Sequence, residues 1–267
     1  MKKREANELQ GRILLERSGQ VAWIRIHNPA KRNAVSLSMW RELGAAVASI
    51  DDDIRCVIVR GEGEEAFVAG ADISEFGANR RESAAVAAYD EAADEAMLRL
   101  ANLPQPTVAM ISGYCIGGGM ALALCCDIRL ASASAQFAIP AARLGLGYGV
   151  AHVRRLMDAV GAANAMDMIA SAARYDAGQA LAMGLVNRVL PCDDFAAQVS
   201  DYTARIAGNA PLTISAVKYA IRSLRPGGAV DDLVHSAELA TACFASDDYA
   251  EGVRAFGEKR QPIFTGK

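Results

Sequence analysis

The stretch GYCIGGGMALALCCD, residues 113–127, closes one apolar run, turns on three consecutive glycines and opens another apolar run. Gly117, Gly118 and Gly119 allow a backbone to approach a ligand closely and leave N–H groups unpaired where a helix begins. Such a turn suits an anion or a developing oxyanion, and the helix dipole adds to the attraction. Tight packing of helix on strand is the competing explanation, and the glycines alone do not separate the two. The spacing does not match GxGxxG, and no Lys-Ser or Lys-Thr pair follows to make a phosphate-binding P-loop. Met120 and Ala121 stand where a charged catalytic residue would be hoped for.

Outward from this turn the chain alternates short apolar strands with amphipathic helices. Strands are expected at 21–27, 56–61, 107–113, 128–132, 136–140 and 184–190. Helices are expected from Ser36 to about Ile50, from about Glu82 to Leu103 before Pro104, and near 149–160, 162–171 and 176–183. After Pro191 only helical patterns remain, at 193–208, 211–224, 231–245 and 247–258. The fold class is therefore α/β (α+β), with a strand-rich core over 1–200 and a helical region over 201–267.

A second glycine-bearing stretch, AFVAGADISEF (66–76), places Gly70 and Ala71 at a strand-to-helix turn that Asp72 can cap. Alone it is a capped loop; paired with 117–119 it supplies a second backbone N–H for one carbonyl oxygen.

With 52% hydrophobic and 22% charged residues and a net charge of −3, the 267-residue chain has the composition of a globular protein, without the basic balance that nucleic acid demands. No run reaches the length of a membrane span, and the charged first residues carry no apolar leader segment, so a cytoplasmic location is expected. Cysteines at 56, 115, 125, 126, 192 and 243 form no CxxC pair, and three scattered histidines make a metal site improbable.

Taken in order, NPAKRNAVS (28–36), AFVAGADISEF, residues 113–140, ALAMGLVNRVLP (180–191), APLTISAVK (210–218) and SDDYAEGVRAFGEKRQPIF (246–264) resemble the enoyl-CoA hydratase/isomerase (crotonase) superfamily over almost the whole chain. The resemblance implies a spiral of ββα turns followed by a C-terminal helical trimerisation region, assembled as a homotrimer or a dimer of trimers. It implies an acyl-CoA thioester as substrate, with the coenzyme A carried by that substrate and no further cofactor. By motif position the N–H groups of Ala71 and Gly118 would form an oxyanion hole. Lys31, Arg32, Ala69, Asp72 and Ile73 would lie near the coenzyme A adenine and phosphates, and Phe256 and Lys259 match C-terminal positions that help hold it. On its own, AFGEKR reads as a solvated helix end.

The chain departs from that family where the acids belong. Hydratases of the family carry two glutamates, at positions held here by Ala121 and Ala141, and alanine does no acid–base chemistry. The aspartate of the dehalogenase and dienoyl-isomerase branches is replaced by Gly149. ARLGLGYG (142–149) resembles a segment of methylmalonyl-CoA decarboxylases, which makes Tyr148 a candidate for orienting substrate, although those enzymes have histidine at the position of Ala71. Arg143 could hold a carboxylate or pair with a structural acid. His152 could share the helix face of Tyr148. Asp127, Glu75 and Glu62 read as capping or surface acids. The expected activity is an acyl-CoA lyase that stabilises a thioester enolate, with C–C cleavage such as decarboxylation leading. A hydratase or isomerase with a displaced acid and a silent acyl-CoA binder are the alternatives.

Overall fold

A computed structural model describes residues 11–72, 83–224 and 230–267. The chain enters through the antiparallel hairpin β1 (Arg12–Ser18) and β2 (Val21–His27), then helix α1 (Leu37–Ala48). Three similar turns follow, each giving one strand to each of two sheets: β3 (Cys56–Gly61) and β4 (Ala66–Val68), β5 (Thr107–Ile111) and β6 (Tyr114–Ile116), then β7 (Ile128–Ser132) and β8 (Gln136–Ala138). Helix α2 (Ser83–Asn102) lies between the first two turns and α3 (Gly118–Ala123) between the next two. The larger sheet has the order β1-β2-β3-β5-β7-β10 and the smaller β4-β6-β8-β9, with β9 at Tyr175–Asp176 and β10 at Arg188–Leu190. Every pairing from β2 to β10 in the larger sheet is parallel, which accounts for the nearly continuous burial of β3.

Strand periodicity divides the core in two. Ala22, Ile24, Val57, Val59, Ala109 and Ile111 face the main core, while Val21, Cys56, Ile58, Val108 and Leu130 on the other face receive α7 (Phe195–Ala207). On α7 the contact is made by Phe195, Val199 and Ala207, and the helix runs without interruption through residue 200. Gly113 makes the step from the larger sheet to the smaller: its φ is +57°, and a Cβ there would lie 1.9 Å from the Glu65 carbonyl oxygen. Ser36 caps α1 by accepting from Met39 N–H, and Met39, Trp40, Leu43 and Val47 turn inward.

Helix α4 (Ala141–Leu144) precedes α5 (Val150–Ser171), which bends at Gly161 (φ 77°, ψ 164°) where the sequence reading has two helices. Asp176 and Gln179 close a capping box at the head of α6 (Ala177–Ala182). Helices α8 (Pro211–Ser223), α9 (Val230–Phe244) and α10 (Asp247–Glu258) end the chain. The sequence reading missed β1, an edge strand with charged, half-exposed positions, and the two-residue β9. It also ran the 107–113 strand two residues past β5, gave β6 no strand and began the 184–190 strand four residues too early.

Candidate functional site

The three glycines do three different jobs. Gly117 takes φ 54° and ψ −109°, outside the reach of ordinary side chains, and its N–H is held by the Ala138 carbonyl at 3.0 Å. Gly119 is packed: a Cβ there would fall 2.2 Å from the Val68 carbonyl oxygen and 2.9 Å from Val68 Cβ. Gly118, between them, has room. A Cβ on it would sit in ordinary contact, 3.8 Å from Gly70 C and 3.9 Å from Ala71 N. Gly118 and Ala71 thus face each other at the head of α3.

Their N–H groups are left over once the local bonds are made. Val35 N–H donates to the Gly70 carbonyl and Asp72 N–H to the Val35 carbonyl, both at 2.9 Å, so the bridge strapping this loop passes over Ala71 N–H. Gly118 is the first residue of its helix, where no intrahelical acceptor exists. Neither N–H has an acceptor among the described residues. Two adjacent donors of this kind can bond one carbonyl oxygen and strengthen as that oxygen gains charge. Tyr89 of α2 steadies the strap by donating its hydroxyl to the Val35 carbonyl at 2.9 Å.

The loop 28–35 wraps this strap. Asn33, at φ 57°, donates through Nδ2 to the carbonyls of Glu62 (2.9 Å) and Ala66 (2.7 Å), and accepts from Asn28 N–H. Ala69 N–H donates to the Arg32 carbonyl at 3.1 Å. Lys31 reaches the buried Asp72 at 2.7 Å, while Arg32 binds Glu65 at 2.6 Å and lies over the Tyr114 ring. Lys31, Arg32, Ala69 and Asp72 therefore form one polar margin next to Ala71. Ile73 and Glu75 lie outside the described residues.

Ala121 and Ala141 are both buried, with no ionisable group at either position. The Tyr148 hydroxyl is buried close to the thiols of Cys115 and Cys125, without a hydrogen-bond partner among the described residues, and burial raises its pKa well above the ordinary phenol value, making it a weaker acid. Cys125 Sγ in turn donates to the Ala121 carbonyl at 3.2 Å, so Tyr148 stands against the flank of α3. His152 packs its ring on Tyr148 with centroids 5.6 Å apart, and its Nε2 lies 3.3 Å from Asp94 of α2.

A model of the enoyl-CoA hydratase/isomerase family matches residues 16–267. The chain belongs to that family. The short-chain-enoyl-CoA hydratase of Clostridium acetobutylicum is 32% identical over 251 residues, 93% of this chain and 95% of the relative. The crotonyl-CoA hydratase of Syntrophomonas wolfei is 32% identical over 258 residues, covering 96% and 98%. Among solved structures, an enoyl-CoA hydratase/carnitine racemase from Magnetospirillum magneticum superposes with a TM-score of 0.89 at 36% identity, over 96% of each chain. The two mixed sheets and terminal helices are the crotonase fold, and the protein is a crotonase-family acyl-CoA enzyme.

The remaining sequence-predicted positions fall elsewhere. Phe256 is almost fully exposed on α10, and Lys259 is the exposed left-handed residue that ends this helix. The tail after them returns to Arg55, which donates to the Phe264 carbonyl at 2.6 Å just before β3 starts. Phe256 lines a groove with residues of α8 and α9, and the glycine turn is not among the residues that line it. Arg143 is exposed on α4. Asp127 holds Thr107 and Lys218, and Glu62 holds His27 and Arg25, as structural acids. Asp94 was missed by sequence reasoning; its signal was the Asp90/Asp94 pair, one turn apart on α2.

Proposed function

We propose that the N–H groups of Ala71 and Gly118 form an oxyanion hole for the carbonyl of an acyl-CoA thioester, and that the protein catalyses hydration of a 2-enoyl-CoA, or a closely related enolate reaction. The observation that carries this is the pair of facing, acceptor-free donors at the head of α3. Charge arriving on the thioester oxygen meets dipoles already in place, so little reorganisation is needed in the transition state. The hydratase names of the relatives weigh toward addition of water. With Ala121 and Ala141 inert, the acid–base work must come from a displaced group.

Decarboxylation of a malonyl-type thioester is the second reading. It is favoured by the same two alanines, because departing CO2 leaves its electron pair in the enolate without an enzymic base. Tyr148 would then orient the leaving carboxylate.

Lys31, Arg32, Ala69 and Asp72 line the margin on which the coenzyme A nucleotide would rest, with Ile73 next in sequence. Phe256 and Lys259 would serve coenzyme A only across an interface. An apolar groove of about 730 Å3 between α8, α9 and α10, lined by Leu212, Ala216, Phe244, Tyr249, Val253 and Phe256, supports the reading of 201–267 as an assembly region in a homotrimer or dimer of trimers.

The test is to incubate the protein with crotonyl-CoA, malonyl-CoA and methylmalonyl-CoA and follow the thioesters by mass spectrometry. Gain of water on crotonyl-CoA is expected; loss of CO2 from the malonyl substrates would replace the first reading by the second. Binding of thioesters with no turnover at all would overturn both.

A further inference from the structure

A thioester enolate must receive a proton at Cα, and hydration must also take one from water, yet no carboxylate occupies either glutamate position. The groups packed around Tyr148 offer one other candidate. His152 stands in the first turn of α5, half-buried between the Tyr148 ring and Asp94 of α2. Nε2 faces the Asp94 carboxylate at 3.3 Å, which fixes the tautomer that carries its proton on Nε2. Nδ1 is then a lone-pair acceptor. It is buried, and it has no partner among the described residues; its neighbour the Tyr148 hydroxyl shares that condition.

Two contacts tie this imidazole to elements that carry the proposed hole. Through Tyr148 it abuts Cys115 and Cys125, which flank α3, the helix that begins with Gly118. Through Asp94 it is fastened to α2, the same helix whose Tyr89 hydroxyl bonds the strap over Ala71. An unpartnered buried nitrogen costs stability unless something binds it, so the site is arranged for a guest with a proton to exchange.

We infer that His152, oriented by Asp94, is the acid–base residue of this protein, doing with one imidazole what two glutamates do in its hydratase relatives. The inference rests on the acyl-CoA reading above. In hydration, Nδ1 takes a proton from water as the water oxygen bonds to Cβ. The C=C electron pair moves onto the thioester oxygen between Ala71 and Gly118. The imidazolium then returns the proton to Cα, the carbonyl re-forms, and the neutral imidazole is restored. One molecule of water is added and the protein ends unchanged.

Charges facing His152 set its working range. Burial holds the imidazole below its ordinary value of 6.5, Asp94 and then Asp90 oppose that, and Arg155 on its own helix reinforces it. The resting ring is therefore neutral at physiological pH, the form a base requires.

The experiment follows turnover of crotonyl-CoA from pH 5 to 9 for the wild-type protein, His152→Gln and Asp94→Asn, with thermal melting and thioester binding measured alongside. His152→Gln is expected to lose kcat by about 100-fold or more with little change in thioester affinity. The wild-type rate is expected to fall on an acid limb below 6.5 that His152→Gln lacks. Asp94→Asn, which removes the charge that favours the imidazolium, should move this limb to lower pH. A folded His152→Gln protein with wild-type kcat and acid limb would overturn the inference while leaving the function standing. A wild-type protein that binds the thioester without turning it over would instead remove the function, and the inference with it.

Discussion

At the start of β5 and β7, Thr107 gives Asp127 its N–H at 2.7 Å and its hydroxyl at 2.8 Å, and Lys218 of α8 reaches the same oxygen at 2.7 Å; beyond the end of β6, Ala71 and Gly118 present N–H groups with no acceptor among the described residues. The larger sheet is thus closed where its strands start, and the smaller sheet is open beyond the ends of β4 and β6. Lys218 further donates to the Gln105 carbonyl, and Arg55 gathers the carbonyls of Ala207 and Phe264, so the closed end also binds the terminal helices. Unmet polar groups cost stability, and a fold keeps them where a ligand will meet them. The difference between the ends separates residues that hold the protein together from residues that act.

That separation can be broken most sharply inside the glycine run. Gly119→Ala should be the most damaging substitution, costing about 3 kcal/mol or more because its methyl collides with the Val68 backbone, and loss of soluble, folded protein by circular dichroism is expected. At the closed end, Asp127→Ala strands Thr107 and the nearly buried Lys218. It should cost about 2–3 kcal/mol, read as a lower urea midpoint with the slope unchanged.

A smaller and conditional effect is expected in the C-terminal tail. Glu251 accepts from Arg254, Arg260 and Ile263 N–H, and Arg260 leads in holding its carboxyl far below the ordinary 4.5. A carboxylate whose value is depressed by folding contributes fully above its unfolded value, and that contribution is lost as pH falls below about 4.5 toward the depressed folded value. The protection of Ile263 N–H against hydrogen exchange, relative to its intrinsic rate at each pH, should accordingly be lost at low pH before that of the β3 amides, and Glu251→Gln should bring that loss to neutral pH.

The sequence made the two-faced parallel core legible, because strands buried on both sides leave continuous apolar runs such as 56–59, and it made α10 legible to the residue through Ser246 and its cap. The smaller sheet was harder to read, since strands of three residues carry too few positions for periodicity, and β1 hid its pairing behind exposed Arg12, Glu16 and Arg17. At the site, Gly118 and Ala71 could be paired only through family resemblance, because their contact joins segments 47 residues apart. His152 was visible as a helix neighbour of Tyr148, whereas Asp94 comes from a different helix and no local pattern announces it. Lys31 and Arg32 lie next to Ala71, and their partners Asp72 and Glu65 are long-range and could not be read from spacing.

The central claim is that Gly118 belongs to the open end and Gly119 to the packing behind it. The direct measurement is Gly118→Ala beside wild type: a thermal melt together with the rate on crotonyl-CoA. A methyl there finds ordinary contacts yet covers the Ala71 N–H, so a melting temperature within a few degrees of wild type is expected, with kcat lower by about 100- to 1,000-fold. A Gly118→Ala protein that melts like wild type and turns over like wild type would contradict the account.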